Sequence, residues 1–191
     1  MAKIDSSGTD EMVRMLSGIG QSASEICKRA VFSGAGTLAD ALVAAVEDLP
    51  TEPFHPLPGA RNGGDPLNVL TDDDKEDLVA GLGVAKFEDT GDGINTAVSF
   101  EGYSRHKSRQ FPNGIPLPVI ARSIESGSST RKKKPFIRHA ATAIEAQVQQ
   151  EMETKVHECV DMYQATGSLP PYSGGNGSSN GKKGIHKVTN K

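Results

Sequence analysis

The sequence predicts an α+β fold, with a small antiparallel sheet packed against a long N-terminal helix and a long C-terminal helix. Three features carry that expectation. Ile26, Ala30, Gly34, Leu38, Ala41, Ala45 and Leu49 share one helical face. Ile94, Thr96, Val98 and Phe100 alternate with Asn95, Ala97 and Ser99, as in a half-buried strand. After Pro135 no glycine or proline occurs until Gly167. That permits about 29 helical residues, or roughly 44 Å of helix.

Taken in order, Met12, Met15, Leu16 and Ile19 stand at helical spacing within Asp10–Gly20, weakened by Gly18 and Gly20. The pattern resumes at Ser22 and keeps its phase across S-G-A-G at 33–36. Ser22–Leu49 therefore reads as one helix in which Gly34 and Gly36 let another backbone come close; two helices joined by a turn is the alternative. Pro50 ends it. Residues 50–66 hold five prolines and three glycines, so this segment is expected as an exposed loop. Thr71 caps a short helix whose first turn is crowded with acids, favoured there by the helix dipole. It should end by Gly81 or Gly83. Val84–Glu88 and Ile94–Phe100 flank D-T-G-D-G and read as a β-hairpin. Tyr103–Pro118 is a basic loop, after which Pro118 starts a short helix halted at Gly127.

The last helix opens at Pro135, whose missing N–H costs nothing in a first turn. Ser128, Ser129 and Thr130 are its candidate caps. Its apolar stripe runs through Ile137, Ala141, Ile144, Val148, Met152, Val156 and Val160, the last five spaced by four. Each step of four drifts about 40° round the helix. One flat neighbour cannot cover such a stripe. The first half is expected to pack on its own domain, and the half with Met152, Val156 and Val160 on something else, such as another copy. A helix curved around its core is the alternative.

These elements fit one domain at 10–165, with a flexible N-terminus at 1–9 and a flexible Gly/Ser/Lys tail at 166–191. Apolar residues make up 36%, charged residues 24% and aromatics 5%, with no Trp. A core of small aliphatic residues follows, and a deep aromatic-lined pocket does not. Cys27 and Cys159 show neither metal-ligand nor disulfide spacing and sit in helical apolar patterns as small hydrophobes. A reducing compartment is expected. There is no 18-residue apolar run and no secretory leader pattern, so no membrane is expected.

The net charge of −3 hides a segregation. Residues 1–100 carry 7 basic and 17 acidic side chains, whereas residues 101–140 carry 9 basic and 2 acidic. Such a chain can associate head to tail. The basic run Arg131, Lys132, Lys133 and Lys134, with Arg105, Lys107 and Arg109, can meet phosphates, remain solvated, or meet an acidic face on a neighbouring subunit. The last is favoured, because the N-terminal half supplies such a face. No aromatic RNA-binding pattern accompanies the run.

No catalytic set emerges. Asp89-Thr90-Gly91 spells an aspartic-protease tripeptide but lacks a second copy and a hydrophobic flank, and reads as a turn. Asp72-Asp73-Asp74 lacks the Gly and terminal Glu of a calcium loop. His55, His106, His139, His157 and His186 are scattered. No cofactor is expected.

Two short arrays are more specific. A-R-S-I-E-S-G-S at Ala121–Ser128 and, after a basic loop, P-F-I-R-H-A at Pro135–Ala140 resemble the tail-completion, or head–tail joining (neck), proteins of long-tailed bacteriophages. Ala30–Ala39 is similar to the first helix of that family, with its small-residue step. Ser126 stands where an aromatic is usual and His139 where proline is usual; the 50–66 insert and the tail are extra. The resemblance implies a virion structural protein without turnover, assembled in the bacterial host cytoplasm. It would form a hexameric or higher-order homo-oligomeric ring at the head–tail interface, touching neighbouring connector and tail proteins. An acidic lumen would let DNA pass through. A tail terminator, a minor virion component and a nucleic-acid-binding module using residues 101–138 are the alternatives. Candidate contact residues are Arg131–Lys134, Phe136, Arg138, Glu125, Met152, Val156 and Val160. Glu125 and Arg138 are expected to form local ion pairs that hold the loop between the two motifs.

Overall fold

In the structure, a computed structural model, residues 7–51, 70–90, 93–107, 110–128 and 131–169 are described. The tail beyond 169, most of the 50–66 loop, Gly91-Asp92, Arg109 and the candidate caps Ser129 and Thr130 lie outside them.

Helix α1 is Ser7–Glu47, α2 Asp72–Gly81, α3 Leu117–Ser126 and α4 Phe136–Thr166. Strands β1 (Leu82–Val84), β2 (Glu88–Asp89), β3 (Ile94–Asn95) and β4 (Val98–Phe100) complete the expected α+β architecture. α1 has 41 residues and α4 has 31, so they run about 61 Å and about 46 Å. They lie antiparallel: Gly18 meets Tyr163, and Gly34 meets Met152 and Val148.

The two N-terminal helical patterns are one helix. Gly18 and Gly20 each weaken it by about 1 kcal/mol relative to alanine, but α4 packs on this stretch, with the Tyr163 ring against Gly18. The two later glycines differ. A Cβ on Gly34 would stand 2.7 Å from Met152 Cγ, whereas one on Gly36 would meet nothing within 4 Å. Close approach is therefore a property of Gly34 alone, because a two-residue step turns Gly36 by about 200°.

α1 also supplies the partner that the drifting α4 stripe needs. Met152 packs on Gly34, Cys159 is buried, and Val156 and Val160 are half-buried. The second half of the stripe thus lies against α1 of the same chain. By length and composition alone, Ser22–Glu47 is apolar enough to cross a membrane, contrary to the absence of such a run read above. Here it contributes Ala39, Leu42 and Val46 to the core.

That core lies at one end of the helix pair, in a head where α1 meets α2, β1 and β4, and α3 and Phe136 add their side chains. Leu78 and Val46 are its most enclosed large side chains. α2 starts as expected, with Thr71 Oγ1 accepting from the Asp74 amide at 3.0 Å. Lys75 Nζ donates to Leu49 O at 2.9 Å and ties α2 to the end of α1.

The expected hairpin forms, but in two pieces. β1 pairs antiparallel with β4, Val84 opposite Val98, and β2 with β3, Glu88 opposite Asn95. Three residues, 85–87, then face two, 96–97, which is a one-residue bulge. Thr96 Oγ1 donates to Ala85 O at 2.8 Å across it. Phe87 in the bulge meets Phe32 of α1 edge-on, with centroids 6.4 Å apart, and β3 also packs on α1.

Candidate functional site

The two short motifs form one structural unit. Pro118 lies in the first turn of α3 and Gly127 ends it at φ +79°, a conformation glycine adopts without strain. The chain turns back immediately, with Ser128 bridged to Arg131 and the Lys134 amide donating to Ile124 O at 2.7 Å. Lys133 packs over Gly127, about where a side chain would stand. Pro135 then occupies the cap position of α4 and has no side-chain oxygen to offer.

Glu125 fills that role. Its carboxylate accepts from the Ile137 amide at 2.9 Å and the Arg138 amide at 3.4 Å, two of the donors that a helix start leaves unpaired. A negative group is also favoured there by the helix dipole. The Arg138 guanidinium is 4.0 Å from Glu125 and 73% exposed, a weak pair in solvent. The expected ion pair is therefore minor beside the cap. Phe136 is buried against Phe100, with ring centroids 6.2 Å apart; it is a core residue of the head.

The basic run divides. Lys132 and Lys133 are exposed, Lys134 is half-buried, and Arg131 turns inward, where Nη1 donates to Ser123 Oγ at 2.8 Å. Ser123 in turn donates to Ile120 O at 2.7 Å. Burial pulls the Arg131 guanidinium below its ordinary pKa, opposed by the more distant charge of Asp74. Arg131, Lys132 and Lys134 rim a shallow surface pocket with Leu49, Leu70 and Ile124 in its wall.

The other basic segment meets acids within the chain. Arg105 reaches Glu76 at 2.8 Å, Asp77 at 3.0 Å and Asp73 at 3.2 Å. Its backbone amide also donates to Asp77 at 2.8 Å. The Glu76 hydrogen bond and the neighbouring carboxylates raise the Arg105 pKa. His106 Nδ1 lies 3.1 Å from the carboxylate of Asp74, which is buried. Part of the charge complementarity expected between subunits is thus met internally, by Arg105 and His106 on the acids of α2.

Sequence reasoning missed Ser123, Lys75 and Asp77. A serine inside a helix and acids already assigned to a helix start carry no signal of their long-range partners. Cys27 is exposed, not part of an apolar face, and Cys159 is buried. Asp89 pairs with Ile94 in the hairpin. No cluster of metal-binding side chains occurs among the described residues. No family model, curated protein or solved structure matches the chain.

Proposed function

We propose that the chain is a structural protein of a phage neck, which forms a ring at the head–tail interface and joins or completes the tail for attachment to the head. The observation that carries this reading is the contact between its two motifs. Glu125 of the first caps the helix opened by P-F-I-R of the second, and Gly127 lets the chain between them turn. Those residues thus serve one local architecture, which gives a reason for their occurring together. Lys132 and Lys133, which follow that turn and are exposed, are the side chains this reading assigns to a partner. Ring formation, contacts with connector and tail proteins, and DNA in the lumen all belong to this proposal. A tail terminator or minor virion component would use the same unit.

The test is attachment. In the phage that encodes the chain, deleting the gene should leave filled heads and complete tails unjoined in electron micrographs, and labelled protein should map to the junction in intact particles. Joined, infectious particles without the chain would refute the reading.

A further inference from the structure

We propose that the cationic pocket rimmed by Arg131, Lys132 and Lys134 receives a carboxylate from the outer face of α4 on a second copy of this chain. The inference rests on the ring reading and names the two surfaces that would meet in it.

Among the described residues no carboxylate pairs directly with the cations of the pocket, and Asp74 acts on Arg131 only from a distance. Among the described residues, Arg131 donates to the neutral Ser123 hydroxyl and has no carboxylate within ion-pairing distance. Lys132 and Lys134 stand beside it on the rim. A partly desolvated guanidinium with lysines next to it is costly until an anion completes it, and a bidentate carboxylate matches its fork. The pocket is shallow and partly apolar, which suits a single small acidic group projecting from a rigid surface.

The chain carries such a surface. Glu145, Gln149, Glu153, His157 and Asp161 recur every four residues along α4, and all five are exposed. Three are acids, and among the described residues none of these three makes an ion pair; the nearby Lys155 is taken by Glu158 at 2.7 Å. A chain's own stripe does not serve its own pocket. Glu145, Glu153 and Asp161 lie about 14, 26 and 38 Å along the axis from Phe136, beyond the Debye length of about 8–10 Å. A second copy meets no such limit. Repeated head to tail, this contact yields a closed ring or an open filament; reciprocated across a twofold axis, it yields a dimer.

The experiment is sedimentation velocity on the full chain, at low and physiological salt. The native protein should associate, less so as salt rises. Lys132→Glu with Lys133→Glu reverses charge on exposed side chains and spares the fold. It should weaken association by about tenfold or more, as should Glu145→Lys with Glu153→Lys. Mixing the two variants should restore association, since each keeps the surface the other has lost and the reversed surfaces also attract. Arg131→Gln, checked by circular dichroism, should weaken association without reversing any charge.

A native chain that stays monomeric into the millimolar range would overturn the proposal, as would association unchanged in either double variant. Salt-sensitive binding of duplex DNA, abolished by the lysine reversals while self-association persists, would assign the pocket to phosphate instead. Absence of the chain from virions would remove the neck reading and leave this contact to be judged by sedimentation alone.

Discussion

Glu125 carries more of the local architecture than any other polar side chain near the motifs, because it satisfies two backbone amides from 12 and 13 residues away in the chain. Replacing it with alanine should lower unfolding free energy by about 1–2 kcal/mol, read as a shift in urea midpoint at unchanged slope. Glu125→Gln keeps an acceptor oxygen and should recover about half of that. Arg138→Ala should stay within about 0.5 kcal/mol. Equal losses at the two positions would show that the ion pair, not the cap, matters. The sequence picked out both residues and their pairing, which forms at 4.0 Å, but missed the cap. An E…R spacing suggests opposite charges meeting, whereas the helix start gives the carboxylate nearer donors in Ile137 and Arg138 themselves. Arg131 was harder still to read. Four consecutive basic residues look alike in a sequence, and only the turn at Gly127 decides that the first points inward.

At the scale of elements, the glycines of α1 separate local preference from packing. Gly36→Ala should stabilise by about 1 kcal/mol, since the added methyl meets nothing and a helix interior prefers alanine. Gly34→Leu should cost about 1–3 kcal/mol, because Met152 and Val148 already fill that space. Paired urea melts of the two variants decide the matter, and matching signs would show that α4 does not seat there. Periodicity made both long helices legible, including their ends at Pro50 and Gly167. It left their partnership open, because a stripe that drifts by about 40° per step has no single azimuth. The structure resolves this by laying α4 along α1 of the same chain. The hairpin was legible as well, but the bulge after Val84 was not: one unmatched residue leaves the alternation of 94–100 intact and falls on the other strand.

Over the whole molecule, the head and the helix pair should differ in local stability. Amide exchange should be slowest at Leu42–Leu49 and Leu78, where burial is deepest, and markedly faster near Leu16, which is 58% exposed. Uniform protection along α1 would count against this division. The charge segregation was visible in composition, yet its internal resolution was not, since Arg105 meets acids 28 to 32 positions earlier. Nothing in a linear count says which loop folds over which helix. The antiparallel course of α1 and α4 also has a mechanical outcome. Because Gly18 is matched with Tyr163, the start of one helix and the finish of the other sit side by side, away from the head. Tension applied between handles at those two places in an optical trap would peel the pair open turn by turn at low force. The head would yield last, in a single separate rip.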